Sequence, residues 1–130
     1  MSDKASYWLD TADEDLITAR ALLSTGRLLH AGFFCHLIAE KALKAVIADR
    51  TNKIPPKIHA LRRLAEEGMV LNELSDEQIK LLRVLTPLHI NARYPEYKKT
   101  VKQKLSTKVC KQLLHETEEF LCWIKRQLGR

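Results

Sequence analysis

A chain of 130 residues with 45% hydrophobic and 29% charged residues has the make-up of one globular domain, and that ratio excludes a disordered chain. Four glycines and four prolines are too few for the many turns of a β-sandwich or barrel, so long helices are favoured. The net charge of +6 sits unevenly, with an acidic stretch near the start and a lysine cluster after position 97.

The opening Met-Ser-Asp-Lys-Ala-Ser-Tyr-Trp lacks a basic start followed by an apolar run and reads as neither a signal nor a transit peptide. The most apolar stretch, Leu28 to Ala48, is broken by His30, His36, Glu40, Lys41 and Lys44, which excludes a membrane span. A cytoplasmic protein is the expectation. Cys35, Cys110 and Cys122 are an odd number with no CxxC pair, and each falls in a helical pattern where a free thiol packs as a small apolar group. The five histidines show no HxxxH or HxxEH spacing, so no metal ligation is expected.

In chain order, a first helix is expected from Lys4 to Thr25, capped by Ser2 or Asp3 and stopped at Gly26. Ala5, Trp8, Leu9, Ala12, Leu16, Ala19 and Leu23 fall on one narrow stripe, with Asp10, Asp13, Glu14 and Asp15 off it. A second helix, Leu28 to Asp49, is apolar on most sides and so belongs at the centre. Ala39, Ala42 and Ala45 allow close approach of a neighbour, and His36, Glu40 and Lys44 form a thin polar line at four-residue spacing. Pro55-Pro56 enforces a break. A short third helix follows over Ile58 to Glu67, and a fourth begins near Asp76, with Ser75 and Gln78 in capping-box spacing. It directs Ile79, Leu82, Leu85 and Leu88 inward, and Pro87 is expected to kink it or end its regular part. The last helix starts at a Ser106 cap and runs to Leu128 on a stripe of Val109, Cys110, Leu113, Leu114, Thr117, Phe120, Leu121, Ile124 and Leu128. The predicted fold is therefore all-α: residues 1–130 form a single domain, an antiparallel up-and-down bundle of four long helices plus one short helix.

No glycine-rich phosphate loop and no Ser-His-Asp set is present, and no cofactor is expected. Chemistry therefore has two candidate places, and a basic patch is a third place for binding. Glu40 and Lys44 have the favoured i,i+4 order, so the polar line is either an internal salt bridge or, with His36, the wall of a polar cleft. Arg93, followed by Tyr94 and Pro95, either caps the carbonyls of the fourth helix or forks onto a phosphate, with Tyr94 stacking on a base. Lys98, Lys99, Lys102, Lys104, Lys108 and Lys111 make either a solvated basic face or a patch that attracts phosphate.

Three segments then fall into a pattern: Phe33-Phe34-Cys35-His36-Leu37-Ile38-Ala39-Glu40-Lys41-Ala42-Leu43-Lys44-Ala45, His59-Ala60-Leu61-Arg62-Arg63-Leu64, and Ala92-Arg93-Tyr94-Pro95-Glu96. Together they resemble the HEPN domain (higher eukaryotes and prokaryotes nucleotide-binding) of the stand-alone prokaryotic type that carries Arg-Tyr-Pro. Trp8, Ala12, Asp15, Leu16 and Ala19 fit the family's first helix. The resemblance implies a bundle of four or five helices that often forms a homodimer. It also implies a minimal nucleotidyltransferase as partner, in some cases as toxin and antitoxin. Many such domains are metal-independent RNases whose signature is an arginine followed four to six residues later by a histidine. Arg93 matches the arginine, but Tyr97, Lys98, Lys99 and Thr100 stand where the histidine belongs. Lysine and tyrosine, with ordinary pKa values near 10, are poor bases at neutral pH. His89 is the nearest substitute.

The expectation is a non-catalytic or weakly catalytic protein, one half of a toxin-antitoxin-type pair. It binds a nucleotide or phosphate-bearing group through His36, Glu40, Lys44, Arg93 and Tyr94. Two alternatives remain: a metal-independent RNase toxin using Arg93 with a non-standard base, and a dimeric interaction module without ligand. Trp123 and Cys122, off the buried stripe of the last helix, are the expected dimer contact.

Overall fold

The computed structural model describes residues 1–93 and 105–130, and of residues 90–93 it describes the backbone. The described residues form five α-helices and no strand: α1 (Asp3–Ser24), α2 (Leu28–Thr51), α3 (Leu61–Glu67), α4 (Asp76–Arg93) and α5 (Thr107–Gln127), with one 3-10 turn at Leu71–Glu73. None of these helices is long and apolar enough to cross a membrane.

Ser2 caps α1 by accepting a hydrogen bond from the Ala5 N–H at 3.1 Å, and Gly26 reverses the chain at φ +77. Of the expected stripe, Ala5, Leu9, Ala12, Leu16 and Ala19 are buried, and Trp8 and Leu23 are partly buried against the core. Asp15, expected off that stripe, is buried as well, because Lys41 of α2 stands 2.5 Å from it. Two more carboxylates of α1 meet the other end of the chain: Asp13 pairs with Lys125 and Asp10 with Arg130, both at 2.6 Å. The acidic start thus faces cations from α2 and the C-terminus.

Helix α2 is the centre, packed against each of the other four helices. Ile38, Ala39, Ala42, Leu43, Ala45 and Val46 are fully buried, and alanines at three of these positions admit neighbouring backbones closely. Each fully buried Leu, Ile or Val contributes about 1.5–3 kcal/mol. The helix extends two residues beyond the expected Asp49, because the Thr51 hydroxyl donates back to the Ile47 carbonyl at 2.7 Å and left-handed Asn52 ends the turn.

Helix α3 starts at Leu61 and not at Ile58, since Ala60 is extended and no side chain caps an earlier turn. His59 therefore lies outside the helix. The box before α4 is formed both ways: Ser75 Oγ accepts from the Gln78 N–H at 3.1 Å, and Gln78 Oε1 from the Ser75 N–H at 2.8 Å. Pro87 does not end α4, which continues to Arg93. Burial of Leu81, Leu82, Leu85, Leu88 and His89 outweighs the roughly 3 kcal/mol that an internal proline costs. On α5, Ser106 caps through the Val109 N–H, and the expected stripe is buried except for Val109, which is 44% exposed. In this last helix Cys122 is exposed, and Trp123 is half-buried against Phe120.

Candidate functional site

The polar line of α2 faces inward. His36, Glu40 and Lys44 are 1%, 4% and 6% exposed, on a helix whose remaining inward positions are apolar. Charges so placed are tolerated only when paired. Lys44 Nζ donates to Glu40 Oε2 at 3.1 Å and lies 5.4 Å from the centre of the Trp8 ring, so it is held between an anion and an aromatic face.

The other carboxylate oxygen, Glu40 Oε1, is the meeting point of further residues. His59 Nδ1, from the extended segment ahead of α3, is 2.9 Å away, and His36 Nδ1 is 3.7 Å away. His89 of α4 touches both other histidines, its ring centre 4.4 Å from that of His59 and 4.7 Å from that of His36. Phe33 stacks on its ring at 5.6 Å. Three separate segments therefore meet around one carboxylate. His59 is 46% exposed and forms the open side, whereas His36 and His89 lie beneath.

Burial in this apolar setting pushes the His36 pKa down to about 4. The Glu40 carboxylate and a backbone hydrogen bond at His59 oppose that shift, and repulsion from the His89 and His59 rings adds to it. His36 is thus a neutral imidazole at neutral pH. Burial likewise raises the Cys35 thiol to about 12, so this cysteine is a packing group and not a nucleophile.

Of the residues singled out from sequence, His36, Glu40 and Lys44 are brought together. Arg93 is the last residue of α4, four positions and about one turn beyond His89, and its side chain lies outside the described residues. Tyr94 also lies outside them, as do Lys98, Lys99, Lys102 and Lys104. Lys108 and Lys111 are exposed at the start of α5. His59 was not singled out as a site residue. Its signals were its place just after Pro55-Pro56 and at the head of the segment His59-Ala60-Leu61-Arg62-Arg63-Leu64.

A groove of about 780 Å³ between α4 and α5 is the obvious alternative location. Glu77, Glu116, Glu118 and Glu119 line it, and that many carboxylates disfavour a phosphate. The histidine cluster does not have this defect, since its one carboxylate is already paired with Lys44.

A model of the HEPN domain matches residues 5–127, nearly the whole chain. Neither the curated proteins nor the solved structures include a significant match.

Proposed function

The chain belongs to the HEPN domain family, whose members are nucleotide-binding or RNase-type domains, and on that premise we propose that it binds a nucleotide or another phosphate-bearing group where His59 opens to solvent beside the end of α4. The observation that carries this reading is the convergence of α2, the His59 segment and α4 on Glu40. Lys44 offsets the carboxylate charge, His59 offers a half-exposed ring for stacking or donation, and Arg93 supplies the fork for phosphate. His36, Glu40 and Lys44 form the floor that orients these groups. Within the same reading the protein is a homodimer and partners a minimal nucleotidyltransferase in a toxin-antitoxin-type pair. Both follow from the family resemblance of the sequence, and the half-buried Trp123 beside exposed Cys122 suits a dimer contact.

Calorimetric titration of ATP, GTP and a short single-stranded RNA tests this proposal. Arg93→Ala should weaken binding by roughly 1.5–3 kcal/mol, the scale of a charge-assisted hydrogen bond, and Arg93→Lys should recover only part. Unchanged binding by Arg93→Ala protein with an unchanged melting temperature would refute it. One observation favours the RNase alternative: the pair His59–Glu40 at 2.9 Å has the form of a base held by an orienting carboxylate, and His89 stands one turn before Arg93. RNA cleavage that persists in excess chelator and is lost in both Arg93→Ala and His59→Gln would establish that alternative.

A further inference from the structure

We propose that Glu40, His59 and His89 form a binding site for one divalent transition-metal ion of the zinc type. Each of the three offers a ligand atom, and those atoms lie within 4.8 Å of one another. Two imidazole nitrogens and one carboxylate oxygen suit Zn²⁺ or Co²⁺, whereas a magnesium site calls for oxygen ligands. Three protein ligands leave the fourth position of a tetrahedral zinc ion to a water or a ligand, as in open three-ligand zinc sites.

The surroundings support this assignment. Glu40 is held by Lys44 on Oε2, and its Oε1 faces His59. Ligands around a tetrahedral zinc with bonds near 2.0–2.2 Å stand about 3.3 Å apart. His59 Nδ1 is 2.9 Å from Oε1, a few tenths of an ångström under that spacing, and with all three atoms within 4.8 Å of one another the widest pair has to close by about 1.5 Å at most. The rings of His59 and His89 are stacked at 25°, and His59 must turn to aim its nitrogen at a shared ion. It is the one member free to do so, being 46% exposed, and the same exposure is the entry path. The carboxylate and the buried imidazole are held by α2 and α4, the rigid part of the site. Linear spacing cannot reveal such a site, because its ligands come from three separate segments.

The proposal does not depend on nucleotide binding and is tested without nucleotide. Chelator-treated protein is titrated with Zn²⁺ by calorimetry and with Co²⁺ by visible absorption. The expected result is one ion per chain at micromolar or tighter affinity, with cobalt d–d bands between 500 and 700 nm, the range for low-coordinate cobalt on nitrogen and oxygen ligands (roughly tetrahedral geometry). His59→Gln should keep its fold, since this side chain is half-exposed, and should weaken Zn²⁺ binding at least tenfold. Glu40→Gln should do the same, with its melting curve checked because Lys44 loses its partner. His115→Gln is the control: His115 pairs with Glu119 at 2.8 Å on the surface, an exposed histidine–carboxylate pair of the kind that binds metal adventitiously. It should bind as the parent does. Absence of saturable binding at 100-fold excess metal (about 1 mM ion over about 10 µM protein, well above a micromolar Kd), or binding unchanged in His59→Gln and lost in His115→Gln, would overturn the proposal.

Discussion

Replacing Glu40 by glutamine removes the charge at the centre of the cluster and leaves the side-chain shape intact. Lys44, 6% exposed, then keeps its ammonium in a buried setting without an anion. Removing one partner of a buried ion pair costs about 3–5 kcal/mol. Two features reduce that cost here. The Trp8 ring 5.4 Å from Lys44 Nζ retains up to about 2 kcal/mol of cation–π attraction, and the amide oxygen of glutamine still accepts a hydrogen bond. A net loss of about 2–3 kcal/mol follows, equivalent to roughly 6–12 °C in melting temperature for a domain of this size. Urea unfolding followed by far-UV circular dichroism measures it. The double change Glu40→Gln with Lys44→Met should recover most of the loss, because no buried charge then remains unpaired. The effect should also be nearly insensitive to salt between 0.05 and 0.5 M, a range over which the screening length of exposed pairs shortens from roughly 14 to 4 Å. A single-variant loss below about 1 kcal/mol, or a double variant weaker than the sum of the two singles, would show that the pair is not the buried couple described.

Two further predictions concern titration and thiol access. His36 has a folded pKa of about 4 against 6.5 when unfolded, so between those values the unfolded state binds more protons and stability falls as pH falls. In metal-free protein the loss should reach about 3 kcal/mol by pH 4, and His36→Gln should flatten the urea midpoint between pH 6.5 and 4 relative to the parent; parallel profiles would contradict a buried neutral His36 facing Glu40, His59 and His89. Cys35 and Cys110 are buried with raised pKa values and Cys122 is exposed, so native protein at pH 8 should react with one equivalent of a thiol reagent and denatured protein with three. Two or more fast-reacting thiols in native protein would show that the packing around Cys35 or Cys110 is open.

What the sequence by itself determined was local and periodic. The wide apolar arc of α2 marked it as the central helix, and it is the helix that packs against every other. Ser2, the Ser75–Gln78 pair and Ser106 announced three helix starts, since capping joins residues two or three positions apart and needs no tertiary contact. The i,i+4 spacing of His36, Glu40 and Lys44 was equally legible, because one helix places them on one line. The family likeness drew on the same kind of pattern, and the match over residues 5–127 agrees with it.

Tertiary structure alone decided the rest. Pro87 sits inside α4 because packing of Leu85, Leu88 and His89 outweighs a local penalty that the sequence states plainly. Asp15 is buried because a cation from another helix stands over it, which no single-helix periodicity records. The same holds for the cluster around Glu40. His59 and His89 lie 19 and 49 positions beyond it, and neither distance has any helical meaning. Only the packing of α4 on α2, and the extended segment that keeps His59 out of α3, bring two imidazoles to one carboxylate. A site assembled from three segments is a property of how the helices pack, and hydrophobic packing is non-directional enough that its side-chain meetings are not written in any one stretch of chain.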